Sequence, residues 1–511
     1  VAHAYVGSRF ITRDSGDSSG SSRRDRHRLA LAPAIKNATD VLSRSSAAVQ
    51  AAMDFYQENM WMTLVSCTTK LDDGTTYVIT GDINAMWIRD SAAQLNPYIS
   101  LAQMKEGAPL LRPLLEGALR RQAQFILTDP YANAYTIDFD SAKNTRLNRG
   151  AFVFTGNYEM DSGAYYFRFL RRLTEAFPKT EVLQDKTVHQ AARMMVALYR
   201  QERDHCLHAS KYVYPRSAPW ELPGEDGRGW PTACTGMVWN AFRPSDDPGK
   251  YGYHIPGNLF LAAELRSLAA TARSAWSDPA LAEAAAELRG SIIEGVKRHG
   301  TKEHKGNLVY CYEVDGKGGC NLMDDANVPS LLSIPYLDPT GETYDKDVYR
   351  ATRGFVLSTD NQWYFEGSAG RGVGSPHTGA DMIWPLSLVM QALTEDSATE
   401  KASLLHTLTS GPLASKGLTE SFHKDDHERI TRPWFGWPNS LLGELLLSGG
   451  TWTPDLSGLS AKAPKTRKVG GRSLALVESG RLYEADVAQL RRPDVVLPDV
   501  EHYIDGLAQR P

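Results

Sequence analysis

The chain has 511 residues, of which 42% are hydrophobic, so it can bury a large core. Its 56 basic and 60 acidic residues give a formal net charge of -4, which excludes the basic surface that nucleic-acid binding requires. No apolar run reaches the length of a transmembrane helix, so we expect no membrane partner either.

The predicted elements begin after a polar N-terminal segment. Residues 11–29 are rich in Ser, Gly and Arg, which predicts disorder over residues 1–40. Apolar residues then recur at helical spacing, between loops rich in Gly, Pro, Asp and Trp. The predicted helices span residues 42–64, 91–104, 110–128, 158–176, 183–202, 256–274, 279–299, 325–335, 345–357, 380–394, 398–410 and 434–447. The clearest strand patterns lie at 307–314 and in the hairpin-like segment 473–485.

This helical pattern without a βαβ rhythm predicts an all-α fold, with six helical hairpins closed into an (α/α)6 barrel over residues 41–450 and minor β hairpins. An open helical solenoid is the alternative, but the sequence has no repeat of fixed period. Residues 451–511 begin with a Pro-, Lys- and Arg-rich stretch, which predicts a C-terminal appendage packed on the barrel or trailing from it. In a helical ring the loops at one end converge on the axis, so their residues can share one pocket.

The five cysteines form no C-x-x-C pair, and no His cluster has zinc spacing, so we expect no metal and no cofactor. Cys311 and Cys320 could close a short hairpin as a disulfide, and free buried thiols are the alternative. Asn37-Ala38-Thr39 is an N-glycosylation sequon, which favours the secretory pathway without establishing it. The first residue is Val1 rather than Met, which leaves open whether a leader precedes it.

Polar residues concentrate in loops at the predicted helix starts. Residues 81–91 carry Trp87, Arg89 and Asp90; a helix N-cap would explain Asp90 but neither of the other two. Residues 157–162 (NYEMDS) form a second loop, with two carboxylates. A single such loop is unremarkable, but several in one predicted ring indicate a shared site.

The third loop, RPSDD, contains the adjacent carboxylates Asp246 and Asp247 and is followed by a second proline. Neighbouring carboxylates repel each other and raise the proton affinity of one, as a general acid requires. A solvated loop with an Asp cap is the alternative.

Three later loops add further polar residues. They carry Asp324, Asp325 and Asn327, then His377, then Glu420 and Arg432. Aromatic residues beside such groups suit sugars, whose C–H faces stack on rings while their hydroxyls need polar partners. The candidate pocket walls, for each of which core packing is the alternative, are Trp87, Trp239, Trp384, Trp434 and Trp437.

The strings MWIRDS, YEMDS, GMVWNAFRPSDD, MDDANVPSLL, GSPHT, ESF and TRPWFGWPNS resemble those of glycoside hydrolase family 125, which are exo-acting α-1,6-mannosidases. The resemblance runs from about residue 45 to residue 447, with the motifs in the family's order. One departure is Thr419, because family members often have His before the Glu of the ESF motif. The resemblance does not extend to the two terminal segments.

This resemblance implies an (α/α)6 fold, no metal, and inversion at the anomeric carbon of a terminal mannose in mannosides, mannan or N-glycan fragments. It implies that Glu420 is the general base and that the general acid is Asp246 or Asp247. The candidate substrate-binding residues are Trp87, Arg89, Asp90, Asp324, Asp325, Asn327, His377 and Arg432. The alternative functions are another (α/α)6 enzyme, such as a glucoamylase-like hydrolase or a polysaccharide lyase, and a non-catalytic glycan-binding protein.

Overall fold

The computed structural model describes residues 63–104, 108–137, 152–207, 229–409, 417–448 and 465–467. Its helices are α1 (Ile88–Ala102), α2 (Ala108–Thr128), α3 (Asp161–Ala176), α4 (Lys186–Arg203), α5 (Ile255–Ser274), α6 (Pro279–His299), the single turn α7 (Ile334–Leu337), α8 (Lys346–Val356), α9 (Pro385–Leu393), α10 (Ala398–Thr409) and α11 (Gly436–Ser448). None of these helices is long and apolar enough to cross a membrane.

The helices form two concentric layers. In the inner layer α1 packs on α3, α3 on α5, α5 on α7 and α9 on α11, and α11 returns to pack on α1. In the outer layer α2 packs on α4 and α4 on α6, while α2, α6 and α10 each pack on the inner helix that precedes them. The ring is an (α/α)6 toroid, as predicted. Because the last inner helix packs on the first, the alternative of an open solenoid is wrong.

The helices of the ring begin in two ways, and the difference does not follow the layers strictly, since the inner helix α5 has a side-chain cap from His254. The outer helices α4, α6 and α8 start at an aspartate whose carboxylate accepts from a backbone N–H of the first turn, which stabilises the helix; these are Asp185, Asp278 and Asp345. The inner helices α1, α3 and α9 start without a side-chain cap. Instead α1 and α3 carry Asp90 and Asp161 in their first turns, where the helix dipole favours a negative charge.

Short strands link the loops at the starts of the inner helices. The strands are β1 (Thr68–Leu71), β2 (Thr76–Val78), β3 (Met86–Trp87), β4 (Ala134–Tyr135), β5 (Val153–Thr155), β6 (Tyr253–His254), β7 (Thr301–His304), β8 (Asn307–Tyr310), β9 (Glu313–Val314), β10 (Cys320–Asn321), β11 (Tyr364–Glu366), β12 (Arg371–Val373), β13 (Met382–Ile383), β14 (Ser421–His423), β15 (Asp426–Thr431) and β16 (Lys465–Arg467). The sheet orders β3-β4-β5, β10-β9-β6 and β13-β14-β15 each include the strand that leads into α1, α5 or α9.

Aromatic side chains fill the interior of the ring one turn below the helix starts. Tyr165 of α3 meets Trp437 of α11 edge-on with 5.9 Å between ring centroids, and it meets Phe260 of α5 at 5.0 Å. Because α3 and α11 are not neighbours in the ring, their contact crosses the interior.

A polar cluster lies one turn deeper. Arg168 follows Asp161 by two helical turns, about 10 Å along α3. Its guanidinium stacks on the Tyr336 ring at 4.6 Å, and the Tyr336 hydroxyl donates to Glu444 at 2.9 Å. Asn96 donates to the same Glu444 carboxylate at 2.7 Å. These contacts join α1, α3, α7 and α11, so the ring is filled beneath the converging loops.

One predicted helix is wrong. Residues 325–333 form a loop, and only Ile334–Leu337 is helical. The backbone N–H of Asn327 bonds the side chain of Asp325, and those of Leu331 and Leu332 bond the side chain of Asp324. Short acidic side chains that bond nearby backbone groups compete with a helix.

Other predictions fall partly on residues that the structure does not describe. Strands β8 and β9 confirm the predicted strand pattern at 307–314. Of the predicted helix 42–64, only residues 63 and 64 are described, and they are helical. The segment 1–40 with its sequon and the hairpin-like segment 473–485 lie outside the described residues. In the predicted appendage, β16 pairs in parallel with β1.

Two disulfide bonds cross-link the chain within the ring. Cys311 and Cys320 form a disulfide, so the alternative of free thiols is wrong for this pair. Cys206 and Cys234 form a second disulfide, which the sequence alone does not predict. The thiol of Cys67 is free and buried.

Candidate active site

Arg89 stands at the centre of one half of the site, in the first turn of α1. Its Nη1 donates to Glu159 Oε2 at 2.6 Å and to Asp161 Oδ2 at 3.4 Å, and its Nε lies 3.2 Å from Asp90 Oδ2. All four side chains are buried. One guanidinium therefore faces three carboxyl groups, which come from the adjacent starts of α1 and α3.

Asn133 connects this group to the RPSDD loop. Strands β3 and β4 pair Trp87 with Ala134, which brings Asn133 beside the start of α1. The Asn133 amide nitrogen donates to Glu159 Oε1 at 2.8 Å and to Asp246 Oδ1 at 2.7 Å. The Trp87 indole N–H donates to the same Asp246 oxygen at 3.1 Å. Asp246 thus joins the acidic group around Arg89.

Burial in this group favours the neutral form of several carboxyls. Burial, and then the charge of Asp246, raise the pKa of Glu159 well above its usual range, although Arg89 opposes the shift. Burial also raises the pKa of Asp161 to about 6 against the effect of Arg89, and it raises that of Asp90. Burial alone would lower the pKa of Arg89, but the surrounding carboxylates raise it. The group therefore holds a permanent cation, and burial raises the pKa of the carboxyl groups around it.

The RPSDD loop is a tight turn held from both sides. Arg243 binds Glu313 through two hydrogen bonds, at 2.7 and 3.1 Å, and its backbone N–H donates to the Asp247 carbonyl at 2.7 Å. At the tip of the turn Asp246 has a φ of 69°, a left-handed conformation that few residues with a side chain adopt. The Asp247 carboxylate accepts from the Ser245 hydroxyl at 2.9 Å. This geometry points two adjacent carboxylates at different partners.

His377 lies among three carboxylates. Its Nδ1 is 3.3 Å from Asp247 Oδ1, and 30% of its side chain is exposed. Burial lowers the pKa of His377, but the hydrogen bond and charge of Asp247, followed by the charges of Glu420 and Asp246, raise it to about 9. The imidazole is therefore a cation at neutral pH, within electrostatic range of all three predicted catalytic carboxylates.

Glu420 enters the site from the β14–β15 hairpin. The pairing of Ser421 with Thr431 sets Glu420 opposite Arg432, and the Glu420 backbone N–H donates to the Arg432 carbonyl at 3.2 Å. Arg432 Nη1 lies 3.5 Å from Glu420 Oε1, while Nε and Nη2 of the same guanidinium donate to Asp82 at 2.9 and 2.7 Å. The Glu420 side chain, only 7% exposed, thus has a fixed cation beside it.

The two aspartates in the loop between β10 and α7 have different hydrogen-bond partners. Both carboxylate oxygens of Asp324 accept backbone N–H groups, those of Leu331 and Leu332, at 2.8 and 3.0 Å. Asp325 Oδ1 accepts the backbone and side-chain N–H groups of Asn327 at 3.0 and 2.9 Å. Its Oδ2 is buried without a hydrogen-bond partner in the described ranges. Asp325 is therefore the member of the pair with an oxygen left for a ligand.

The described residues offer no group of three or more His, Cys, Asp or Glu side chains that could hold a metal ion. The arrangement instead supports proton transfer by carboxyl groups and the binding of hydroxyl groups.

Comparison with known proteins agrees with this chemistry. Residues 50–447 match the family described as metal-independent alpha-mannosidases, glycoside hydrolase family 125. The chain belongs to this family.

Two relatives support the same assignment. The family 125 chain is 36% identical over 393 residues to the meiotically up-regulated gene 157 protein of Schizosaccharomyces pombe (strain 972), covering 73% of this chain and 76% of the relative. A Streptococcus pneumoniae metal-independent alpha mannosidase, solved in a non-productive complex with alpha-1,6-mannobiose, matches with a TM-score of 0.74 and 33% identity. That match covers 82% of this chain and 98% of the other. The protein is thus a glycoside hydrolase.

A more distant solved structure has the same fold. A wild-type glycosidase matches with a TM-score of 0.50 at 13% identity, covering 80% of this chain and all of the other. At that identity the likeness concerns the helical ring alone.

Of the five candidate wall tryptophans of this family 125 protein, Trp239, Trp384 and Trp437 are core residues by their contacts. Trp239 is 1% exposed and stacks on His205 with 3.7 Å between ring centroids. Trp384 and Trp437 are buried too, the former donating to Thr378 and the latter lying under the Arg89 guanidinium at 5.6 Å. Trp437 therefore packs against Arg89, and Trp384 meets the His377 ring edge-on with 6.3 Å between ring centroids.

An exposed aromatic side chain that is not among the candidate wall residues lies beside Trp87. Phe154 of β5 is 38% exposed and meets Trp87 edge-on, with 5.6 Å between ring centroids. Because Trp87 in turn donates to Asp246, Phe154 lies on the solvent side of the carboxylate group.

Several residues of the site are not among the candidates that the sequence indicates. Glu159 and Asp161 lie in the NYEMDS loop, where two carboxylates at a predicted helix start are a usable signal. Asn133 had no local signal, because its place depends on strand pairing between distant segments. Asp82 lies in the loop at residues 81–91, but its contact with Arg432 joins residues 350 positions apart.

Proposed function

We propose that the protein is an exo-acting α-1,6-mannosidase that releases single terminal mannose units with inversion of configuration. The observation that carries this proposal is the convergence of Glu420, Asp246 and Asp247 on His377 in a chain of the α-mannosidase family. The α-1,6 linkage is supported by the bacterial relative, whose bound ligand is alpha-1,6-mannobiose.

Glu420 is the proposed general base. It would take a proton from a water molecule as that water attacks the anomeric carbon, and the Arg432 guanidinium at 3.5 Å would keep the carboxylate in position. On the opposite face of the sugar, Asp246 or Asp247 would protonate the glycosidic oxygen as its bond to the anomeric carbon breaks. An inverting pair needs carboxyl groups about 6.5–9.5 Å apart, which leaves room for the water.

The two candidate acids have different surroundings. Asp246 belongs to the acidic group around Arg89 and is held by Asn133 and Trp87. Asp247 contacts the His377 imidazole instead. The proposal requires a proton on one of them, and variants of the two residues distinguish the two assignments.

Exo action is supported by the interior of the ring. Tyr165 and Arg168 lie one and two helical turns below Asp161, with cross-ring contacts to Trp437 and Tyr336. A site with a filled floor accepts a chain end more readily than an internal segment. Arg89, Asp90, Asp325, Asn327 and His377 are the proposed partners of the terminal sugar's hydroxyls; Asp324 would act by holding the loop that carries Asp325.

A linkage panel with product analysis tests the proposal. The enzyme is incubated with α-1,2-, α-1,3- and α-1,6-linked mannobioses, a mannan with an α-1,6 backbone and α-linked glucobioses, while NMR follows the first product. We expect β-mannose from the α-1,6 substrates, released singly. Hydrolysis of glucosides would favour the glucoamylase-like alternative, an unsaturated product a lyase, and binding without any product a non-catalytic protein. Oligosaccharides released before mannose would contradict exo action.

A further inference from the structure

Glu159 is a buried carboxyl group that the hydrolysis mechanism does not use, although its side chain is hydrogen-bonded to the site residues Arg89 and Asn133. Its Oε2 accepts from Arg89 at 2.6 Å and its Oε1 accepts from Asn133 at 2.8 Å. Its side chain has no exposed surface. A buried acid in such a position either balances Arg89 or acts on Asp246, which shares Asn133 with it.

The orientation of Asn133 is fixed by its own neighbours. Its side-chain oxygen accepts from the Thr155 hydroxyl at 2.7 Å and from the Asn157 backbone N–H at 3.2 Å. The amide nitrogen must then face Glu159 and Asp246, and its two hydrogens serve one carboxyl each. An amide in this orientation holds two carboxyl groups side by side.

Glu159 Oε1 and Asp246 Oδ1 accept from the same Asn133 amide nitrogen, so the two carboxyl groups lie side by side. Two ionised carboxylates that share a site repel each other, and this repulsion favours a proton on one of them. The surrounding charges favour keeping it. Asp90 of α1 and Asp161 of α3 add negative charge, and Arg89 is the cation in contact with Glu159; His377 acts on Asp246 from the far side.

We propose that Glu159 and Asp246 share a single proton and that Glu159 is therefore a positioning residue for Asp246. The bridged pair fixes the direction in which Asp246 faces the terminal sugar. The role of Glu159 in catalysis rests on the proposed function. If the pair lost its proton, two carboxylates would face each other and Asp246 would move, because Asn133 alone cannot offset their repulsion.

Infrared spectroscopy tests for the shared proton without any substrate. A neutral carboxylic acid absorbs at a higher carbonyl frequency than a carboxylate. We expect the difference spectrum between wild type and Glu159→Gln, at neutral pH in D2O, to contain one neutral carboxyl band. Glu313→Gln is the matched control, since Glu313 is an equally buried glutamate that Arg243 binds through two hydrogen bonds; its difference spectrum is expected to lack that band. A carboxylate signal in place of the neutral band for Glu159→Gln overturns the proposal.

Activity tests the positioning role. Gln has the shape of a protonated Glu and can still donate to Asp246, so Glu159→Gln is expected to keep kcat within about tenfold of wild type, whereas Glu159→Ala loses about 10²-fold. The ratio of Glu159→Gln to wild-type kcat should rise at alkaline pH, because only the wild-type pair can lose its proton. If both variants lost kcat equally and the kcat ratio did not change with pH, Glu159 would act as an ionised partner of Arg89. If the wild type hydrolyses no mannoside, the proposed function fails, while the infrared arm still decides whether the proton is shared.

Discussion

His377 Nδ1 lies 3.3 Å from Asp247 Oδ1, and this contact joins the loop before α9 to the loop that carries the adjacent carboxylates. Burial would lower the pKa of His377, but Asp247, Glu420 and Asp246 raise it to about 9. A protonated imidazole is thus the counter-charge that lets three carboxylates approach one another. Arg89 and Arg432 supply the other cations in contact with site carboxylates.

The first prediction concerns the pH dependence of this contact. Since the folded pKa of His377 is raised, its contribution to stability is fully present below the unfolded value of about 6.5 and is lost as the pH rises through about 9. We expect wild type to unfold at a higher temperature than His377→Gln at pH 7, and the difference to vanish above pH 10. A difference in Tm that stays constant from pH 6 to pH 10 would contradict this account.

Acid stability gives the second prediction, which concerns His254 at the start of α5. Burial, and then the charge of Arg243, lower its pKa to about 3, while its Nδ1 accepts the Gly257 N–H at 3.2 Å. The unfolded state therefore binds a proton that the folded state does not, and stability falls as the pH drops from about 6.5 towards 3, by at most about 1.4 kcal/mol per pH unit.

The matched variant is His254→Asn, because Asn caps helices but does not titrate. Urea unfolding at pH 7, 6, 5 and 4 should give a free energy of unfolding that falls less steeply for the variant than for wild type. Parallel curves for the two proteins would show that His254 does not titrate on unfolding.

The ring could be predicted from the sequence because it depends on local patterns. The apolar spacing of stretches such as 279–299 and 256–274 agrees within one or two residues with α6 and α5. The error at 325–335 has a physical cause: the apolar spacing there is helical, but Asp324 and Asp325 bind backbone N–H groups and hold a loop. Periodicity carries no information about such side-chain competition.

Candidate site residues could be proposed from the sequence, but their hydrogen bonds could not. Motif resemblance proposes catalytic roles for Glu420 and the RPSDD carboxylates, which stay predictions, and the charges of all three act on His377 in the structure. The Asn133 bridge could not be predicted, because it depends on the pairing of β3, β4 and β5 and on a hydrogen bond between residues 113 positions apart. The different hydrogen-bond partners of Asp324 and Asp325 likewise depend on the directions of their side chains. The sequence of two adjacent aspartates does not determine these directions.

The third prediction is that activity survives prolonged chelation. The proposed proton transfers need only carboxyl groups, and the described ranges contain no set of three ligand side chains. After dialysis against EDTA, kcat on an α-1,6-mannobiose should equal that of the untreated enzyme. Inactivation that calcium or zinc reverses would contradict the prediction; calcium is the sharper test, because Asp325 has a buried oxygen without a partner in the described structure.

The fourth prediction assigns Phe154 to the leaving sugar. Its ring is 38% exposed and leans on Trp87 beside Asp246, where an aglycone sugar could stack. Phe154→Ala should lower kcat/KM for α-1,6-mannobiose about tenfold and leave that for α-mannosyl fluoride, which has no second sugar, nearly unchanged. Leu308→Ala is the control, since Leu308 is 48% exposed on the β7–β8 hairpin. Equal losses on both substrates would mean that Phe154 supports Trp87 and does not bind the leaving sugar.

The last prediction concerns the catalytic carboxyls. Glu420→Gln should abolish hydrolysis with little change in stability, because an amide keeps the shape of the side chain but cannot accept the proton of the attacking water. A general acid or base typically contributes about 10²–10⁴-fold. Near-normal activity of Glu420→Gln on a natural linkage would refute the assignment outright.

A dinitrophenyl α-mannoside then identifies the acid, since its leaving group departs without a proton. Among Asp246→Asn and Asp247→Asn, the variant of the acid should lose activity on α-1,6-mannobiose and recover much of it on the dinitrophenyl substrate. The variant of the other residue should lose activity on both substrates alike, because its role is to bind or position, and Glu420→Gln should recover on neither. The first product released from either substrate by wild type should be β-mannose by NMR. If α-mannose appears first, the enzyme is retaining, and Glu420 would act as a nucleophile and not as a base.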